Sequence, residues 1–133
     1  MFLSASPPAA RPQVKAPAMK VTGTYEVTYK RGAGGLLKVL QKGNDVEFEL
    51  EFNRGAPSYN SGVASGTIAI KNGVAKFKTI EYGDGGCEII FTFQGNKVIV
   101  KQNGSDVACG FGHGVMCDGT YILKNRRKPK FEG

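Results

Sequence analysis

The amino-acid sequence predicts an all-β domain, a single antiparallel meander of about eight short strands, and three observations carry the prediction. Apolar and polar residues alternate with a period of two through most of the chain, while no stretch sustains a helical period. The 133 residues include 19 glycines, a composition rich in turns. Successive alternating runs are separated by Lys42-Gly43-Asn44, Asn72-Gly73 and Gly95-Asn96, residues that tolerate the positive φ of short hairpin connections. The length fits one domain and leaves no room for a second independent core.

Taken in order, residues 1–19 hold Pro7, Pro8, Pro12 and Pro17 and read as a disordered, proline-rich segment. Its apolar start is too short for a complete signal peptide and fits the remnant of one. The barrel domain is expected over residues 20–124. Its first strand puts Val21, Tyr25, Val27 and Tyr29 on one face and Thr22, Thr24, Glu26 and Thr28 on the other. A second strand is expected at residues 36–41. In the third, Val46, Phe48, Leu50 and Phe52 alternate strictly with Asp45, Glu47, Glu49 and Glu51, which marks a strand with one wet face. Further strands are expected at residues 64–70, 74–80, 87–93, 97–102 and 120–123. Residues 125–133 are polar, basic and interrupted by Pro129, and read as a loose tail with little to bury.

Eight such strands can stack as a sandwich or close as a barrel. Gly23-Thr24-Tyr25 in the first strand recurs as Gly119-Thr120-Tyr121 in the last. The repeat puts the two ends of the meander in similar environments, where pairing would remove both open edges. The expected architecture is therefore a closed or nearly closed small barrel of lipocalin-like shape, with the sandwich as alternative. A barrel of eight strands holds either side chains or one small ligand. Phe48, Phe52, Phe77, Phe91 and Phe93 would fill it outright; otherwise a small hydrophobic ligand would occupy it.

The formal charge is +7, but residues 21–123 carry ten basic and ten acidic side chains, so the excess lies in the tails. A body without net charge has no net field for polyanions, and no stacking aromatics accompany the basic run from Lys124 to Lys130. Nucleic acid is not an expected partner. No apolar run approaches the roughly 20 residues of a membrane-spanning helix.

The residues most able to carry chemistry surround the segment Cys109-Gly110-Phe111-Gly112-His113-Gly114-Val115, where alternate glycines force irregular backbone. Residue types alone leave three readings open. A disulfide between Cys87 and Cys109 would close a loop worth about 3 kcal/mol by chain entropy and needs an oxidising compartment. Cys87, Cys109, His113 and Cys117 have the donor types of a Cys3His zinc site, at spacings unlike a CxxC knuckle. Cys109 or Cys117 would serve as a nucleophile if His113 were its base and Asp118 the orienting group. His113 is the only histidine, so any imidazole chemistry near neutral pH depends on it. The Glu47, Glu49 and Glu51 row reads as the wet face of a strand rather than an acid and base pair. Walker, HExxH and Gly-x-Ser-x-Gly motifs are absent, so neither catalysis nor a cofactor is expected.

Cys87, Phe91-Thr92-Phe93, Val98, Val100, Gln102, Cys109-Gly110-Phe111-Gly112, Val115 and Asp118-Gly119-Thr120-Tyr121 together resemble the C-terminal module of small exported bacterial proteins of the lysozyme-inhibitor-like, LprI type. The resemblance runs from Cys87 to Tyr121, about a quarter of the chain. It implies an exported β-domain, periplasmic or extracellular, with Cys87 bonded to Cys109 and Cys117 unpaired. It also implies inhibition of a peptidoglycan hydrolase by a loop that plugs the enzyme's cleft. Strand alternation breaks at residues 54–62 and 110–114, and breaks of this kind are where binding residues gather. The candidate binding residues are accordingly Tyr59, Asn60 and Ser61 in the first loop and Phe111 and His113 in the second. The expected function is a non-catalytic binding module acting through loops, with a carrier of a small hydrophobic ligand as alternative.

Overall fold

The alternation resolves into eight strands in a computed structural model that describes residues 20–132. They are β1 (Gly23–Thr28), β2 (Gly34–Lys42), β3 (Asp45–Asn53), β4 (Ser61–Lys71), β5 (Val74–Thr79), β6 (Cys87–Gln94), β7 (Lys97–Asn103) and β8 (Gly119–Asn125). The disorder expected for residues 1–19 concerns positions outside the described residues. Each strand pairs antiparallel with the next and β8 returns to β1, so the meander is a closed barrel and not a sandwich.

Register follows from the turns. Gly43, at φ 63°, lets β2 and β3 pair without interruption from Lys42↔Asp45 to Gly34↔Asn53. Because side chains alternate between faces, this register turns Val46, Phe48, Leu50 and Phe52 into the barrel and Glu47, Glu49 and Glu51 out of it. The interior is occupied by rings. Phe48 packs against Phe77 at 5.4 Å and Phe91 at 5.0 Å between centroids, and Tyr25 meets Phe93 edge-on at 6.2 Å, geometries that aromatic pairs favour. Phe52 lies 6.4 Å from Tyr29.

The repeated Gly-Thr-Tyr has a physical basis. Tyr25 and Tyr121 are both fully buried, and each hydroxyl donates to the carbonyl four residues upstream, Tyr25 to Val21 O and Tyr121 to Cys117 O, both at 2.8 Å. A buried phenol needs such an acceptor, and a chain bending into a strand offers one. The preceding glycines hold φ 152° at Gly23 and 159° at Gly119, and a Cβ at Gly23 would stand 2.5 Å from Asn125 O. At Gly119 it would meet the Tyr29 hydroxyl. The same corner thus opens the first and last strands, which pair with each other at Tyr25↔Leu123 and Glu26↔Ile122.

Closure at β1 and β8 leaves a weaker seam elsewhere. β4 and β5 pair only at Ile70↔Ala75 and Lys71↔Val74, beside their turn, although β4 pairs with β3 along nearly its whole length. Phe77 sits in contact range of Gly66 across the divergence, 3.6 Å from where a Cβ there would lie.

The C-terminal residues differ from the loose tail expected. Asn125 ends β8, and the Arg126 guanidinium donates to Lys20 O (3.2 Å), Tyr25 Oη (2.9 Å) and Gly95 O (3.1 Å). Farther on, Lys38 Nζ donates to Lys130 O at 2.9 Å and the Glu132 amide to Glu49 Oε2 at 3.1 Å, with Phe131 beside Glu47, Gly66 and Thr67. Residues 130–132 thus reach β2 and β3 through their backbone and the Phe131 ring, which a tally of polar residues does not reveal.

Candidate functional site

The connections alternate strictly in length around the barrel. Two-residue turns at 43–44, 72–73 and 95–96 gather at one end, while the longer connections at 29–33, 54–60, 80–86 and 104–118 gather at the other. The long-loop end is therefore the one place where several irregular segments meet, and both loops singled out in the sequence belong to it.

Residues 104–118 form a lid over that end. Ala108, Cys109, Phe111, Val115 and Cys117 are buried beneath it. The Cys87–Cys109 disulfide pins the lid to the start of β6, with the two Cα atoms 5.0 Å apart. Gln102, a buried polar residue at the end of β7, accepts from the Cys117 amide at 2.8 Å and donates to Gly104 O at 3.2 Å, so its amide is satisfied from both flanks of the lid. Asp106 accepts from the amides of Val107 at 2.7 Å and Gly114 at 2.6 Å. These backbone bonds, the Gly114 amide foremost, hold the Asp106 carboxyl below its usual range, with His113 adding to the effect. Tyr82 of the β5–β6 connection lays its ring on Gly110.

The second loop docks on the lid. Arg54 Nη1 and Asn60 Nδ2 both donate to the carbonyl of His113, at 3.2 Å and 2.9 Å, and the Gly112 amide donates to Ser61 O at 2.8 Å. The loop closes on itself through Arg54 N to Asn60 O at 2.9 Å and Tyr59 N to Gly55 O at 2.8 Å. Tyr59 sits at φ 52°, and its ring covers Gly32 of the β1–β2 connection.

All five candidate binding residues are thus brought together, in different roles. Tyr59 is 56% exposed and the His113 side chain 89%, so both present their side chains to solvent. Asn60 and Ser61 spend their contacts on the lid backbone. Phe111 is 8% exposed and presses its ring onto Gly62, where any Cβ would clash, so it plugs the barrel mouth rather than facing outward. Sequence reasoning missed Asp106, whose carboxylate is held by backbone amides, and gave no structural role to Gln102 or to Arg54 as a buttress. Exposed Tyr29 and Tyr82 extend the same rim. Beside it lies a groove of about 260 Å³, lined among others by Thr28, Gly32, Glu51, Asn53 and Ser61.

Of the three cysteine readings, the disulfide forms, which takes two of the four donors from the zinc reading and Cys109 from the nucleophile reading. Cys117 is buried, and burial, with the neighbouring Asp118 charge adding to it, pushes its thiol up to about 12. Such a thiol carries almost no thiolate at neutral pH. The Asp118 carboxylate accepts from the backbone N–H of Gln102 at 3.2 Å. Comparison with family models, curated proteins and solved structures finds no match for this chain.

Proposed function

We propose that this protein is an exported, non-catalytic binding module that engages a protein partner through the long-loop end of its barrel, and that the partner is a peptidoglycan hydrolase of the lysozyme type. The observation that carries the reading is the lid: two loops that abandon strand alternation are cross-tied to each other and to the barrel, leaving Tyr59 and His113 outward on a fixed backbone. Loops ordered before contact lose little entropy on binding, which is the condition for an inhibitory plug. The rim chemistry suits a protein interface, since tyrosine and arginine recur at binding hot spots and this end displays Tyr29, Tyr59, Tyr82, Arg31 and Arg54. Lysozyme-type clefts carry a pair of catalytic carboxylates, to which cationic loop residues are complementary. The disulfide favours an oxidising compartment and hence export. Rings across the barrel axis favour loop-mediated binding over carriage of a ligand inside.

The test is inhibition of a panel of peptidoglycan hydrolases, paired with native mass spectrometry of the purified protein. Inhibition that weakens about tenfold or more in His113→Ala or Tyr59→Ala, with melting temperature held, supports the reading. Absence of binding to every hydrolase tested, with a hydrophobic molecule copurifying inside the barrel, overturns it in favour of the carrier.

A further inference from the structure

The strands of the barrel have no net charge excess of note, yet their charges are sorted in space. β1 to β4 carry five carboxylates and three lysines, whereas β5 to β8 carry five lysines and one glutamate, Glu88. The carboxylate wall is partly neutralised: Lys38 pairs with Glu49 at 3.5 Å and Lys42 with Glu47 at 2.9 Å, and Lys38 also reaches Glu132 at 3.7 Å. On the opposite wall Lys78 pairs with Glu88 at 3.7 Å and Lys124 with Glu26 at 3.1 Å. Lys76, Lys97 and Lys101 have no ion pair among the described residues.

These three lysines frame an apolar centre. Register places Lys76, Ile90 and Lys101 in one row across β5, β6 and β7, and the neighbouring row holds Val74, Thr92, Ile99 and Thr120. Along β7, Lys97 and Lys101 stand on either side of Ile99, each about 7 Å away by strand geometry. Ile99 is 38% exposed and Ile122, opposite Lys97, is 54% exposed. The outward positions of β5 to β8 include no arginine and no aromatic residue, the usual anchors of a protein interface and of base stacking. Long lysine stems that reach past exposed isoleucines match a different target, in which anionic headgroups lie above hydrocarbon.

We infer that the outer wall of β5 to β8 is a peripheral docking surface for phospholipid bilayers bearing anionic headgroups, with Lys76, Lys97 and Lys101 facing phosphate and Ile99 and Ile122 entering the headgroup boundary. The surface lies on the side of the barrel, so docking leaves the long-loop end free.

Cosedimentation of the full chain with vesicles of phosphatidylglycerol and phosphatidylcholine (about 3:7) at about 0.1 M salt tests this. The expected result is binding that falls steeply with added salt and is absent on pure phosphatidylcholine. The triple variant Lys76→Glu, Lys97→Glu, Lys101→Glu is expected to bind about 100-fold more weakly or less, at about fivefold for each lysine lost. Ile99→Ser is expected to weaken binding severalfold while keeping its salt dependence. Circular dichroism and melting temperature check that each variant folds. Equal binding to neutral vesicles, no binding to anionic ones, or loss only in Arg127→Ala, Lys128→Ala, Lys130→Ala would each overturn the inference. So would equal capture by soluble polyphosphate that ignores Ile99→Ser, which would make the wall a polyanion site.

Discussion

Replacing Tyr121 by Phe isolates the contribution of one corner to the barrel. The ring stays in its pocket and only the hydroxyl leaves, taking with it the 2.8 Å bond to Cys117 O. Tyr121 is 0% exposed, so water does not readily replace the lost donor, and the Cys117 carbonyl is left without its partner at the junction of lid and strand. A buried acceptor stranded in this way costs about 1–3 kcal/mol. For a domain of this size that lowers the melting temperature by about 4–12 °C. Thermal and urea unfolding followed by circular dichroism, at constant m value, measure it. Tyr25→Phe is the matched experiment: it removes the bond to Val21 O and also one of the acceptors of the Arg126 guanidinium, so its cost should equal or exceed that of Tyr121→Phe. A loss under about 0.5 kcal/mol in both variants, the range of ordinary surface changes, would refute the reasoning that the buried hydroxyl bonds of the two corners stabilise the barrel.

Three further outcomes follow from the same geometry. Removing residues 126–133 should destabilise the barrel by about 1–2 kcal/mol, read as a lower urea midpoint, because Arg126 bridges the first strand and the β6–β7 turn; an unchanged midpoint would return these residues to the loose tail of the sequence reading. Cys117 should resist iodoacetamide at pH 8 in native protein and label once per chain after denaturation without reductant. Its raised folded value means that its contribution to stability is whole below its ordinary 9.0 and is lost as pH rises towards about 12, so Cys117→Ala should flatten the alkaline limb of the stability profile. Asp106 is depressed from 3.8, so its contribution is present above that value and disappears as pH falls through the lower folded one; Asp106→Asn should remove this acid limb and speed amide exchange at Gly114.

Most of the fold could be read from the chain because strand alternation and turn chemistry are local. Val46 to Phe52 declare both their secondary structure and their inward face, and Asn72-Gly73 declares its turn. Closure became readable through Tyr25 and Tyr121, since a corner needs the same three residues wherever it occurs. What stayed hidden depends on pairing across long sequence separations. Alternation tells which way a residue of β4 points but not whether β5 stays beside it, so the seam had no signature. Arg126 reads as one more tail cation because its acceptors, the carbonyls at residues 20 and 95 and the Tyr25 hydroxyl, lie far off in sequence. At the long-loop end, Tyr59, His113 and Phe111 all lie where the pattern breaks, yet only the first two are exposed and Phe111 faces inward, since a break in alternation marks irregular backbone and not exposure. The charge count was right for the barrel as a whole and silent on its two walls.

The corners also separate two kinds of continuity that usually coincide. Between β8 and β1 the peptide chain is interrupted, yet the sheet is knitted there by strand pairing and by Arg126 reaching Lys20. Between β4 and β5 the chain is continuous through Asn72-Gly73, yet the sheet nearly parts. Continuity of the sheet therefore does not follow continuity of the chain at these two junctions. A circular permutant that links residue 126 to residue 20 through a short spacer and opens at 72–73 keeps both corners, the disulfide and the lid, and leaves the two pairs beside the former turn as the one ladder across that seam.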